Sequence, residues 1–175
     1  MKKILVVIGS AREGRAADKV AKFVVDELIA LGAEPTTADL NKLNMPFFNN
    51  ATAPASDDFS TSEESVLAWS KMVKESDAVV VLTPEYNKGT SAILKNAIDW
   101  LFGEWVEKPV LVVGYGWSGG TFAIANVVES LNHLKAAVQG DTASLFFMKS
   151  IGVDGEPIGE EAKTMLDPAL KALVG

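Results

Sequence analysis

The chain is 175 residues long, 48% hydrophobic and 22% charged, the make-up of one globular domain with a sizeable core. Its formal net charge of −7, with no basic stripe, argues against a nucleic-acid partner. It has no cysteine, which excludes disulfides, thiolate nucleophiles and cysteine-based zinc sites and agrees with a reducing cytoplasm, and no apolar run is long enough to span a membrane.

Lys3–Ile8 is continuous, apolar and β-branched, the pattern of a strand buried on both faces. The preceding Lys2 and Lys3 imitate a secretion signal only faintly, because the apolar run is too short and Arg12 follows too soon. Arg15–Leu31 is predicted to be a helix with Val20, Val24, Leu28 and Leu31 on one stripe, closed by Gly32. Glu34–Asp39 is a weaker, less apolar strand suited to a sheet edge. Asn41–Thr61 has no regular pattern and is long for a loop, the length of lids and binding loops. Phe47 and Phe48 predict that its first part docks.

Thr61 and Glu64 have capping-box spacing, and the helix they open runs to Ser76 with Val66, Trp69 and Val73 on one face. Ala78–Leu82 is a second buried strand. Ser91–Phe102 is a helix apolar on nearly all sides, able to touch both the sheet and a partner subunit. Pro109–Val113 is a third buried strand, Phe122–Leu134 a helix, Thr142–Met148 the last strand, and Glu160–Leu173 a final helix that Pro168 is expected to kink or break. Strict alternation of strand and helix implies a doubly wound, five-stranded parallel sheet with helices on both faces, strand order 2-1-3-4-5.

In such a sheet a ligand lies at the carboxyl ends of the strands, where the order switches. The unusual segments of the sequence fall there. Gly9, Ser10, Arg12, Gly14 and Arg15, between an apolar strand and a helix start, are placed to bind phosphate: free N–H groups and the positive dipole end favour an anion. The only two arginines among sixteen basic residues are Arg12 and Arg15, and a guanidinium grips phosphate through paired donors as lysine cannot. Pro84, Glu85, Tyr86 and Asn87 combine a stiff backbone with side chains suited to a polar ring edge. Gly114–Gly120 supplies glycines that let backbone approach a flat ligand. Phosphate at one end and a planar polar heterocycle at the other describe a mononucleotide, and FMN is the obvious candidate.

Several features point elsewhere and are set aside. Gly114, Gly116 and Gly119 match a dinucleotide fingerprint, with Asp141 near the spacing of its acid, but they lie too late in the chain and Asp141 precedes a strand. His133, the only histidine, sits near a helix C-terminus where a cation is mildly favoured. Glu85 is read as positioning a ring, since hydride transfer to a flavin needs no base. Trp117 is read as a loop tryptophan used for packing, or as one that stacks on or gates the flavin. No metal site is expected.

The stretch Gly9-Ser10-Ala11-Arg12-Glu13-Gly14-Arg15, then Pro84-Glu85-Tyr86-Asn87 followed by Leu94-Lys95-Asn96-Ala97-Ile98-Asp99-Trp100, resembles the NADPH-dependent FMN reductase family over almost the whole chain. The resemblance implies a flavodoxin-like fold and a flavoprotein oxidoreductase carrying hydride from NAD(P)H through FMN to a quinone, an azo dye, chromate or free flavin. It implies that Ser10, Arg12 and Arg15 hold the FMN phosphate, that Pro84, Glu85, Tyr86 and Asn87 line the isoalloxazine, and that Gly116, Trp117, Ser118, Gly119 and Gly120 cover its other edge. Members often carry serine or asparagine where Ala16 and Ala17 stand, so backbone N–H groups and arginines must replace a hydroxyl there. The family also implies a homodimer or dimer of dimers with shared sites. The alternative on the same fold is a flavodoxin-type electron carrier, whose phosphate loop is rich in hydroxyls and lacks arginines. A phosphorelay receiver is discounted, because Gly9-Ser10 and Thr83-Pro84 occupy the strand ends where it needs acids.

Overall fold

The computed structural model describes residues 1–175. In chain order the elements are β1 (Lys3–Ile8), α1 (Ala17–Ala30), β2 (Glu34–Asp39), α2 (Leu40–Leu43), α3 (Glu64–Glu75), β3 (Ala78–Pro84), α4 (Ala92–Asp99), β4 (Pro109–Gly116), α5 (Thr121–His133), β5 (Ala137–Val138), β6 (Ala143–Phe146) and α6 (Glu161–Val174). The sheet is parallel in the order β2-β1-β3-β4-β5, the expected doubly wound arrangement. The fifth position is divided. β5 pairs with the start of β4, and β6 pairs with its end. The polar stretch Gln139-Gly140-Asp141-Thr142 separates them, where a single strand starting at Thr142 is expected from sequence.

β1, β3 and β4 are buried on both faces, as their unbroken apolar runs require. One face packs α1 and α6 through Val20, Val24, Leu28, Leu166 and Leu170; the other packs α3, α4 and α5 through Trp69, Leu94, Ile98, Val127 and Leu131. β2 is the more exposed edge. α6 runs through Pro168 unbroken, because Leu166, Leu170 and Leu173 on its inner face hold it to the sheet while Pro168 sits on the exposed side. α3 begins two residues later than its predicted cap: Thr61 Oγ1 accepts from the Glu63 amide at 3.2 Å, and Glu63, without a side-chain bond, is the residue before the helix.

The loop after β2 docks as expected, and the motif Leu94–Trp100 is what holds it. Asn96 accepts from the Phe48 amide at 2.8 Å and donates to the Pro46 carbonyl at 2.9 Å. Trp100 Nε1 donates to the same carbonyl at 2.8 Å, and Phe48 stands edge-on to the Trp100 ring at 5.0 Å. Phe47, by contrast, is 74% exposed.

Two strands run past their predicted ends, β3 to Pro84 and β4 to Gly116, with Pro84 opposite Tyr115 in the last rung. β1 instead stops at a tight junction. The Gly9 amide donates to the Leu82 carbonyl at 3.0 Å, and the Ser91 hydroxyl, which also caps α4, donates to the Gly9 carbonyl. A Cβ at residue 9 would lie 2.6 Å from the Leu82 carbonyl oxygen and 2.9 Å from Leu94 Cδ2. Gly9→Ala therefore forces β1 away from β3 or α4, and we expect it to lower unfolding free energy by about 1–3 kcal/mol in urea titration, with an unchanged m-value.

Candidate functional site

The carboxyl ends of β1, β3 and β4 open onto a cleft of about 190 Å³. It gathers Ser10, Arg12, Gly14, Arg15 and Ala16 from the first loop, Pro84, Glu85 and Tyr86 from the second, and Gly116 and Trp117 from the third. The remaining expected residues do not line the cleft. Gly9 forms the β1–β3 junction, and Ala17 is fully buried in the core. Asn87 faces solvent in a turn, contrary to its expected place at a ring edge. Ser118, Gly119 and Gly120 brace the third loop from outside the cleft lining. Three further residues line the cleft: Tyr115, Phe147 and Val153. Phe147 falls near the carboxyl end of the strand predicted over Thr142–Met148, the end of the sheet where a ligand is expected. Val153 follows no sequence pattern.

The first loop is arranged as an anion cradle. No amide from Ser10 to Ala16 donates to any acceptor in the chain. Ala16, which precedes α1, has no side-chain cap, so the helix start is open at its positive end. The two arginines differ. Arg12 is exposed and has no ion-pair or hydrogen-bond partner in the chain. Arg15 turns inward: its fork meets both Asp39 oxygens at 3.0 and 2.6 Å, its Nε donates to Asp18 at 3.0 Å, and Nη1 also donates to the Ser10 carbonyl. The expected pair of phosphate-gripping guanidinia is thus one free group and one structural latch. The side chains of Arg15 and Asp39 are only 9% and 11% exposed. The hydrogen bond to Asp39 pushes Arg15 above its ordinary pKa against the opposing effect of burial. For Asp39, burial alone would raise the carboxyl, but the Arg15 hydrogen bonds and charge, with the Asn41 amide and Lys42, hold it below the usual carboxylate range.

The second loop is a tight hairpin. Tyr86 and Gly89 exchange both backbone hydrogen bonds at 2.9 and 3.0 Å, and Asn87 and Lys88 between them have φ of 51° and 64°. Both central residues are left-handed, the two-residue turn that matches strand twist. Asparagine tolerates this well; lysine does not, and Lys88 is held with its ammonium 5.0 Å over the Phe122 ring. Tyr86 is further fixed by a 2.7 Å hydroxyl contact with Ser10.

Glu85 has a different task from the expected ring contact. One oxygen accepts from the Ser118 hydroxyl at 2.5 Å and the other from the Phe122 amide at 2.8 Å. It caps the start of α5 across the gap between loops. The residue before that helix, Gly120, has φ of 74°, and a Cβ there would lie 2.7 Å from the Gly114 Cα. Trp117 is 73% exposed and stands edge-on to Phe147 at 5.7 Å, forming the outer wall of the cleft. The amides of Glu85, Asn87 and Trp117 find no acceptor in the chain, whereas that of Tyr86 is used in the hairpin.

The sequence profile of NADPH-dependent FMN reductases matches residues 2–147, most of the chain. The chain belongs to the NADPH-dependent FMN reductase family. Among relatives, this family member is 34% identical over 153 residues to the NAD(P)H-dependent FMN reductase LOT6 of Saccharomyces cerevisiae, covering 81% of this chain and 79% of that protein. It is 30% identical over 179 residues to the NADPH azoreductase of a Bacillus species, covering 98% and 90%. Among solved structures it is similar to FerB, a flavoenzyme NAD(P)H:(acceptor) oxidoreductase from Paracoccus denitrificans, with a TM-score of 0.76 and 26% identity over 99% of this chain and 96% of that one.

A group whose pKa is depressed by folding stabilises the fold above its unfolded value, about 3.9 for aspartate, and that stabilisation is lost as pH falls through the lower folded value. Asp39→Asn should therefore cost about 3 kcal/mol at pH 7, because it removes the buried counter-charge of Arg15 and leaves only the exposed Asp18 carboxylate to pair with it. It should also flatten the loss of stability below pH 4. Urea denaturation of both proteins across pH 2.5–7 measures each effect.

Proposed function

We propose that the cleft binds FMN and that the protein is an oxidoreductase carrying hydride from NAD(P)H to a small acceptor of quinone or azo type. The observation that carries this reading is the pairing of an unsatisfied amide loop and a free guanidinium with an aromatic-lined cleft that includes Tyr86, Tyr115, Trp117 and Phe147. A phosphate monoester fits the first and a planar ring the second, which is the test a mononucleotide must pass. Bound there, the flavin would accept a hydride and pass it on. The chain's part is to hold and to tune. Arg12 and the Ser10–Ala16 amides would hold the phosphate. Pro84, without an N–H and with its φ fixed, stiffens the backbone at its side of the cleft. The free amides of Glu85 and Trp117, both in the cleft lining, would be donors to negative charge developing on a reduced ring. Trp117 against Phe147 limits entry of water from the open side.

A flavodoxin-type carrier is the other use of this fold. Arg12 at the phosphate loop and family membership both favour the reductase. Purified protein with FMN should oxidise NAD(P)H steadily when a quinone is added, with ping-pong kinetics, whereas a pure carrier would show no such turnover. Arg12→Ala should weaken FMN binding by about 1.5–3 kcal/mol, roughly 10- to 100-fold, in fluorescence titration.

A homodimer or dimer of dimers is part of the same proposal. Phe47 and Trp117, 74% and 73% exposed, are large aromatic surfaces of the kind a second copy covers. Light scattering at micromolar concentration should return a mass of two or four chains, and a monomer mass would refute it. No helix is long and apolar enough to cross a membrane, and the absence of cysteine supports placing the protein in the cytoplasm.

A further inference from the structure

The family profile ends at Phe147, yet the chain beyond it returns to the cleft. Phe147 lines the cleft against Trp117, and Val153 lines it again. The backbone between them is anchored. The Phe147 amide donates to the Gly116 carbonyl at 3.0 Å, and Ser150 and Ile151 are fully buried. A short hairpin follows. The Gly152 amide donates to the Glu156 carbonyl at 2.7 Å, the Gly155 amide to the Gly152 carbonyl at 2.9 Å, and the Ile158 amide to the Ser150 carbonyl at 2.9 Å.

The tip of this hairpin is pressed onto the start of α1. Gly155 is buried, its φ is 89°, and a Cβ on it would overlap the Ala16 carbonyl oxygen. Lys19 meets Asp154 at 2.5 Å and Glu156 at 3.1 Å, tying both flanks of Gly155 to the same helix. The segment is therefore a strap that reaches from the Trp117 side of the cleft to the helix start, where unpartnered amides favour an anion. What it presents at that end is unfavourable to a longer anion. Val153 is apolar and offers nothing to a polar chain passing it. Asp154 and Glu156 bring two negative charges against the single positive charge of Lys19. A phosphate seated on the amides lies within their reach without meeting them; a second phosphate beyond it would face like charge.

We propose that the Phe147–Glu156 strap is the specificity element that measures the ligand's phosphate chain, admitting a flavin that ends in one phosphate monoester and excluding one continued through a second phosphate, as in FAD. The inference rests on the FMN reading above, and riboflavin, which has no phosphate, separates the two. Riboflavin, FMN and FAD are each titrated into apo protein by fluorescence. In wild-type protein FAD should bind no more tightly than riboflavin, although it carries a phosphate at the position FMN uses. In the double variant Asp154→Asn, Glu156→Gln, which keeps the shape of the hairpin and removes its charge, the preference for FMN over FAD should fall by about tenfold. In Val153→Gly it should fall by roughly fivefold. Riboflavin affinity, which reads the ring end of the cleft, should hold in both.

Wild-type protein that binds FAD well above riboflavin would show that a diphosphate passes the strap and would overturn the inference; this comparison needs no variant. Variants that keep the wild-type ratio of FMN to FAD affinity would overturn it as well, since the selection would then lie elsewhere in the cleft. Wild-type protein that does not prefer FMN to riboflavin would overturn the FMN reading itself, and this inference with it.

Discussion

A backbone that keeps its amides free for a ligand cannot hold itself. Between Ser10 and Ala16 no N–H is used within the chain, so neither helix nor sheet bonding fixes this loop. Side chains do so instead, and Arg15 is the main one. Its guanidinium joins the Ser10 carbonyl to Asp39 at the end of β2, and Asp39 lies beside Ile8, the last residue of β1, in the sheet register. The ion pair thus closes over the end of two adjacent strands. Arginine suits this task better than lysine, since its planar fork meets both carboxylate oxygens while reaching a carbonyl as well. The pair is largely buried, which makes it a poor source of net stability but a strict geometric constraint. A binding site needs the second property more than the first.

The remaining ties run between loops rather than within them. Ser10 meets Tyr86 across the first two strand ends, and Glu85 joins the second loop to Ser118 and the α5 start behind the third. Each uses a polar group that a simpler reading would assign to the ligand. The consequence is pre-organisation: the walls of the cleft are set by mutual hydrogen bonds before anything binds. The left-handed Asn87 and Lys88 belong to the same scheme, because backbone strain of this kind persists only where neighbours over-determine it.

What could be read from sequence follows from range. The sheet order and the β1 loop were legible because each depends on a continuous local pattern, buried strands alternating with amphipathic helices and glycines beside the only arginines. Partnerships were not. Arg15 and Asp39 are 24 residues apart, and Glu85 and the Phe122 amide 37 apart, so nothing local marks either pair. Arg15 therefore read as a second phosphate ligand, and Glu85 as a ring contact. The motif Leu94–Trp100 was visible as family resemblance, but its use, Asn96 and Trp100 anchoring the Pro46 carbonyl, depends on a loop 50 or more residues earlier. The division of the fifth strand was likewise hidden, since a two-residue strand such as Ala137–Val138 carries no periodicity.

The segment after β6 completes the cradle from outside the region that the family profile matches. A Cβ at Gly155 would lie 2.2 Å from the Ala16 carbonyl oxygen, so the chain passes directly against the start of α1. This brings Asp154 and Glu156 close to a loop suited to anions, an arrangement that would oppose phosphate by repulsion. Lys19, in the first turn of α1, meets them at 2.5 and 3.1 Å and offsets part of their charge. These are exposed pairs of small energetic weight. Their effect is on the field at the helix start: Lys19 offsets part of the charge of Asp154 and Glu156, Arg15 offsets part of that of Asp18 and Asp39, and Arg12 and Glu13 stand in the loop without ion-pair partners. In a chain of net charge −7, what makes an anion site physically reasonable is therefore the set of directed donors, the free Ser10–Ala16 amides at the helix start and the Arg12 guanidinium, and not a local excess of positive charge.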